Sequence, residues 1–245
     1  MLNLDELERY ERQIRLFGVA GQEKLKSSKI TVVGVGGLGS PIALYLVAAG
    51  VGEIRLVDFE RVELSNLNRQ ILHWTDDISR LKVESAAEKL CKLNPNVRIR
   101  AIPEMADASL LEKLVPESDL VIDALDNWKT RLLLNKICLK YLKPLIHGGV
   151  YGLYGQVLVV VPGLTPCLQC ILPKELDETK TFPIIGSTSG LIAMIQVTEA
   201  IKLITGYGKP ALNKLIMYDG YSMDFNVIYI TKNPKCPACS EVRGS

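Results

Sequence analysis

At 245 residues the chain is long enough for one large α/β domain or two small ones, and its 48% apolar and 23% charged residues suit a globular protein with a substantial core. No apolar run reaches the ~18 residues of a membrane-spanning helix, and the charged, helical start "MLNLDELERYERQIRL" does not read as a secretory signal, so the expected location is the cytoplasm. A net charge of +2 without a long basic tract speaks against nucleic acid as the main partner.

Residues 4–26 predict a charged helical arm. "KITVVGVG" (29–36) predicts a buried strand running into a tight turn. "SPIALYLVAAG" follows as a helix, with Ser40 as its cap, Pro41 in the first turn and Gly50 at its end. "GEIRLVDFE" is a second strand. "RLKVESAAEKLCKLN" (80–94) is an amphipathic helix stopped by Asn94 and Pro95, and "VRIRAIP" a third strand. "SLLEKLV", "SDLVIDALD", "TRLLLNKICLKYL" and "KPLIHGGV" continue as helix, strand, helix, strand.

This alternation through residue 150 implies a parallel sheet with right-handed crossovers and helices on both faces. From "YGQVLVVVPG" onward the pattern becomes β-rich, with one apolar helix at 191–206 and a strand pair around "KLIMYDGYSMDFNVIYI". The expected fold is therefore α/β, a Rossmann-like doubly wound sheet with an antiparallel C-terminal extension. Its parts would be an arm (1–28), a nucleotide-binding core (29–150) and a C-terminal portion (151–245). The polar stretch 172–190 carries two prolines and no clear period, and reads as a crossover or lid.

Gly34, Gly36 and Gly39, with Gly37 between them, lie between a strand and a helix. There they let the backbone turn sharply and bring amides and a helix N-terminus close to phosphate. Asp58, ending the next strand, is placed to accept hydrogen bonds from ribose hydroxyls. These residues suit NAD, FAD or ATP alike.

"SNLNRQ" (65–70) then adds Asn66, Arg69 and Gln70, Lys82 opens the next helix, and Asp126 closes "DALD". Hydride transfer develops little charge on the pyrophosphate and has no need of such a set. Breaking a triphosphate needs cations for its oxygens and a carboxylate for Mg²⁺. The plain alternative is a solvated loop with ordinary surface charges.

The runs "RYERQIRLFG", "VVGVGGLGSP", "SNLNRQ", "KVESA", "DALDN" and "NPKCPAC" together resemble the ThiF/MoeB/HesA adenylating enzymes, relatives of the ubiquitin-activating enzyme, across essentially the whole chain. The resemblance implies ATP and Mg²⁺ as reactant and cofactor. It implies adenylation of the C-terminal Gly-Gly carboxylate of a ubiquitin-like sulfur carrier, usually by a homodimer, for molybdopterin, thiamine or tRNA-thiolation sulfur transfer. Position by position, Gly34, Gly36, Gly37 and Gly39 would cradle phosphate and Asp58 would bind ribose. Asn66, Arg69, Gln70 and Lys82 would contact the nucleotide, and Asp126 would hold Mg²⁺. Arg12, in "RYERQ", would reach the partner subunit's active site; by itself it reads as a solvated helix residue.

Two C-x-x-C pairs, Cys167/Cys170 and Cys236/Cys239, can supply four thiolates to one tetrahedral Zn²⁺ if the fold brings them together; a redox dithiol or unrelated thiols are the other readings. Many relatives carry a further cysteine in the crossover loop. Here the matching place falls near Thr179, so no enzyme–carrier thioester is expected there, and a separate sulfur donor would attack the acyl-adenylate. Cys91 and Cys138 read as small core residues, and His73 and His147 as core or strand-end residues. The 191–206 helix reads as core or dimer interface, and Tyr151–Gly155 as either a channel for a Gly-Gly tail or an ordinary turn. The rival functions are a tRNA-modifying dehydratase on the same scaffold, a non-catalytic nucleotide-binding module and an NAD-dependent oxidoreductase.

Overall fold

The computed structural model describes residues 1–172 and 183–242. Four β-branched runs form its centre: β1 (Lys29–Val33), β2 (Glu53–Val57), β4 (Leu120–Asp123) and β5 (Leu145–Tyr151), with β3 (Arg98–Ile102) beside β2. β2 and β4 are buried at every position, as strands covered on both faces must be. β3 carries Arg98 and Arg100 toward solvent, which suits the strand at the sheet edge. The strand order is β3-β2-β1-β4-β5-β6-β7-β8, where β6 is Tyr154–Val160, β7 is Lys214–Asp219 and β8 is Asp224–Tyr229. The first five strands are parallel and the last three antiparallel. From β1 the chain winds outward to β2 and β3, then returns to β4 on the other side. This reversal opens a crevice at the carboxyl ends of β1 and β4.

Helices cover both faces. On one, α2 (Glu11–Ser27), α3 (Gly39–Ala48), α4 (Lys82–Leu93) and α8 (Gly186–Thr205) bury Leu25, Ile42, Leu46, Val83, Leu90 and Ile192 against the sheet. On the other, α5 (Ala108–Leu114), α6 (Trp128–Lys140) and the short α7 (Leu168–Ile171) bury Leu111, Leu134, Ile137, Cys138 and Leu168. Each such side chain contributes about 1.5–3 kcal/mol by leaving water. α/β with helices on both faces and an antiparallel extension is the architecture that the alternating pattern implied.

Several local expectations change. The arm is two helices: α1 (Leu4–Arg9) is closed by a reciprocal cap between Asn3 and Glu6, and α2 is kinked at Gly18, whose φ is +73°. It is fastened to the body, because Gln13 and Gln22 both donate to the Ala49 carbonyl at 2.7 and 2.9 Å, and Asn94 donates to the Tyr10 hydroxyl at 2.8 Å. Ser40 does not cap α3. The helix begins at Gly39, so the Ser40 hydroxyl lies inside the first turn and donates back to the Val35 carbonyl at 3.2 Å.

Cys91 is exposed, not core: the buried stripe of α4 is Val83, Ala86 and Leu90, and Cys91 is one step around the helix from it. Cys138 is buried as expected. α8 starts at Gly186 rather than 191, because small polar residues are tolerated in a first turn whose amides lack intrahelical partners. Ile192, Ala193 and Ala200 make it a core helix.

Candidate active site

The chain leaves β1 at Val33, turns through Gly34–Leu38 and enters α3. Gly34 has φ +96°, and a Cβ there would lie 2.6 Å from the Ala124 carbonyl oxygen. At Gly39 a Cβ would lie 2.0 Å from the Gly34 carbonyl oxygen, so the turn closes on itself only with glycine at both positions. Gly34, Gly36 and Gly37 line a cavity of about 740 Å³, a volume within the usual range for small-molecule sites. Asp58, Asn66, Arg69, Gln70, Lys82 and Asp126 line the same cavity. Gly39 sits behind its wall. Arg12 is exposed on α2 and is not part of the cavity wall of its own chain.

Val35 at the centre of the turn is gripped from both sides. Its N–H donates to Asp58 Oδ2 at 2.8 Å, and its carbonyl accepts from His73 Nε2 at 3.1 Å. That bond puts the imidazole proton on Nε2, leaving Nδ1 to accept from the Ser85 hydroxyl at 3.0 Å. Burial pushes His73 down to about 4, so the ring is neutral at neutral pH. Sequence reasoning gave His73 a core role; it is a core residue that also braces the glycine turn.

Burial raises the pKa of Asp58, while the charge of nearby Lys82 works in the opposite sense. Lys82, the first residue of α4, is buried, and its Nζ donates to Glu60 Oε2 at 2.5 Å. Glu60 was read as the last residue of the second strand; β2 ends at Val57, and Glu60 lies in the loop beyond it, where it meets Lys82. Arg69 Nη1 donates to the Ser65 carbonyl at 2.9 Å and to Asn68 Oδ1 at 3.1 Å. Asn66 is occupied locally, accepting the Glu63 N–H at 3.1 Å. Gln70 Oε1 and Ser189 Oγ are buried at the cavity wall without a hydrogen-bond partner among the described residues. Each such orphaned atom costs about 1–3 kcal/mol unless a ligand group meets it, so the wall fits a polar occupant.

β4 ends at Asp123, which places Asp126 in the loop beyond it, exposed at the cavity. Asp123 itself is fully buried. Its Oδ2 accepts from His147 Nδ1 at 2.7 Å, its Oδ1 accepts the Leu125 N–H at 3.0 Å, and Arg131 Nε lies 3.7 Å from Oδ1. His147 Nε2 accepts from Gln156 at 3.1 Å. Burial holds His147 below the usual imidazole range, although the Asp123 carboxylate pulls the other way. Neither Asp123 nor Arg131 was singled out in the sequence; the first aspartate of "DALDN" was hidden by the apolar strand it ends.

The four cysteines of the two C-x-x-C pairs meet beside α6. Their sulfur atoms all lie within 4.8 Å of one another, Cys167 to Cys236 at 3.6 Å and Cys170 to Cys239 at 3.4 Å. Four thiols at that spacing suit one tetrahedral metal ion, for which ligand bonds of about 2.3 Å imply sulfur separations near 4 Å. The cluster is away from the nucleotide cavity. Tyr151–Gly155 forms the tip of the β5–β6 hairpin, where the Gly152 N–H donates to the Pro183 carbonyl at 2.7 Å. Thr179 lies outside the described residues. No helix among the described residues is long and apolar enough to cross a membrane.

The chain is 41% identical to the SAMP-activating enzyme E1 of Haloferax volcanii, over 98% of this chain and 91% of the relative. It is 39% identical to the sulfur carrier protein adenylyltransferase of Thermus thermophilus, over 97% and 92%. The crystal structure of E. coli MccB with ATP superposes with a TM-score of 0.86 at 27% identity, covering 94% of this chain and 74% of that one. The ThiF family model matches residues 10–238, and the chain belongs to the ThiF family.

Proposed function

We propose that the protein is an adenylyltransferase that uses ATP to activate the C-terminal glycine carboxylate of a ubiquitin-like sulfur carrier. The observation that carries this reading is the convergence of the glycine turn, Asp58, Arg69, Lys82 and Asp126 on one cavity at the carboxyl ends of β1 and β4. The relatives named as a sulfur carrier protein adenylyltransferase and an E1 enzyme support it. An oxidoreductase or a tRNA-modifying dehydratase has no support among them.

In this reading a carrier carboxylate oxygen attacks the α-phosphorus, a new P–O bond forms, and the bond to the β-phosphate oxygen breaks with its electron pair leaving on pyrophosphate. Asp58 holds the ribose. Lys82 exchanges Glu60 for phosphate oxygens, and Arg69 swings from its own loop carbonyl toward the same charge. Asp126 supplies a hard carboxylate oxygen of the kind that holds Mg²⁺ together with substrate phosphates, and the ion would neutralise charge on them. Arg12 would act in a homodimer, across the interface, on the partner's site. The four-cysteine cluster would hold a structural Zn²⁺; a closed Cys₄ shell leaves no open position for chemistry. A separate sulfur donor would then attack the acyl-adenylate.

The test is ATP–pyrophosphate exchange with small ubiquitin-like proteins ending in Gly-Gly, compared with the same proteins lacking the last glycine. Exchange that depends on the terminal glycine is expected. Absence of exchange with every carrier, in a preparation that binds ATP, would overturn the reading.

A further inference from the structure

A cluster of buried ionisable groups lies at the end of β4, where the loop that carries Asp126 begins. Asp123, His147 and Arg131 are all buried, and they come from β4, β5 and α6. Burying ionic groups is costly, and such groups repay that cost only with good geometry. What they hold is the backbone of Leu125, the residue before Asp126. The Leu125 N–H donates to Asp123 Oδ1 at 3.0 Å, and its carbonyl accepts from Arg131 Nη2, which also donates to the Gly148 carbonyl at 3.2 Å. His147 fixes the other carboxylate oxygen of Asp123 at 2.7 Å and is itself set by Gln156 at 3.1 Å. Gln196 ties the Asp123 carbonyl to that of Ile146, at 2.9 and 3.1 Å. On the far side of the loop Asn127 caps α6 through the Thr130 N–H at 2.9 Å. Asp126 is therefore the exposed residue of a short loop in which the backbone N–H and carbonyl of the preceding residue are both clamped.

We propose that His147, Asp123 and Arg131 form a positioning clamp that presets Asp126 for the metal-bound triphosphate. The proposal rests on the adenylation reading, in which Asp126 meets the metal. Asp123 and His147 do not line the cavity and act through the Leu125 backbone, His147 by way of Asp123; Arg131 lines the cavity, and its part in the clamp is the bond to the Leu125 carbonyl. Outer-shell partners of a metal ligand commonly control metal affinity by 10–100-fold, and an exposed aspartate on a free loop would lose conformational freedom on every binding event.

The experiment uses the full chain and two ligands, Mg–ATP and metal-free AMP, titrated by calorimetry. His147→Leu removes the donor to Asp123. Arg131→Lys keeps the positive charge but loses the two-pronged hold on Leu125 and Gly148. Both variants are expected to weaken Mg–ATP by about tenfold and to leave AMP unchanged. His147→Asn, whose side-chain amide can replace the ring Nδ1 donor, is expected to recover most of the loss. Should His147→Leu fail to fold, Arg131→Lys and His147→Asn carry the comparison.

Equal weakening of Mg–ATP and AMP would make the cluster a general structural support and overturn the proposal. So would unchanged Mg–ATP binding in Arg131→Lys while Asp126→Ala loses it. Unchanged Mg–ATP binding in Asp126→Ala is a different failure: it would overturn the metal role of Asp126 and the clamp with it, while leaving adenylation itself to the exchange test.

Discussion

Lys82 and Glu60 face each other across the mouth of the nucleotide cavity, with Nζ 2.5 Å from Oε2; the lysine is buried and the glutamate half exposed. Binding a triphosphate requires this cation to change partners. Lys82→Ala is expected to slow pyrophosphate exchange by roughly 10²-fold, the scale of losing one preorganised charge donor. Glu60→Gln removes the competitor and should tighten ATP by a few-fold, because a pair with one exposed member is worth only about 0–1 kcal/mol. An ATP titration of both variants measures this; weaker ATP binding in Glu60→Gln would show that the carboxylate assists the nucleotide.

His73 makes the glycine turn sensitive to acid. Its folded-state pKa is about 4 against 6.5 for the free side chain, so between those values the unfolded chain binds a proton that the folded chain refuses. Stability is therefore unaffected by this group above about pH 6.5 and falls as the pH drops toward 4, by up to roughly 3 kcal/mol. His73→Gln cannot titrate, and the difference between its denaturation midpoint and that of the wild type should shrink over that window. A constant difference from pH 7 to 4 would contradict the assignment.

The glycine turn separates folding from binding. Gly39→Ala places a methyl 2.0 Å from a carbonyl oxygen and is expected to destabilise the fold by about 1–3 kcal/mol or more. Gly36→Ala meets nothing closer than the Gln70 amide at 3.6 Å. It should denature near the wild-type temperature yet bind ATP more weakly, because its methyl occupies the cavity floor. Thermal denaturation with and without ATP distinguishes the two.

Removing metal should act on stability. Cys236→Ser, or a strong chelator, is expected to abolish bound zinc and lower the melting temperature, since the cluster ties the C-terminal tail to α6 and α7. Metal analysis of the purified chain should give one zinc per chain. Loss of zinc without a change in melting temperature would exclude the structural role.

Arg12 offers a test across subunits. If it serves the partner's site, Arg12→Ala and Lys82→Ala chains are each slow alone, but mixing them assembles dimers with one intact site. Recovery of exchange on mixing is the expected outcome; no recovery would exclude a role for Arg12 in the partner's site.

The residues show how far pattern alone reaches. Gly34, Asp58 and Lys82 were legible because each sits next to a strand or helix end, and Gly36 and Arg69 because they lie in the short glycine turn and the polar run after Asp58; the cavity contains all of them. The alternation of β-branched runs and amphipathic helices likewise determined the parallel sheet, and the two C-x-x-C pairs their need for a common site. Ser40 and Cys91 went the other way, since one residue of shift along a helix moves a side chain by about 100° and no local signal sets that register. The links between distant segments belonged to the tertiary structure: Glu60 against Lys82, His73 against Val35, and Asp123 with His147 and Arg131. Each joins groups whose approach depends on which strands are neighbours. Strand order is set by the whole core and not by any one stretch of chain, so the sequence by itself named the parts of the site and only the packed sheet decided which parts brace one another.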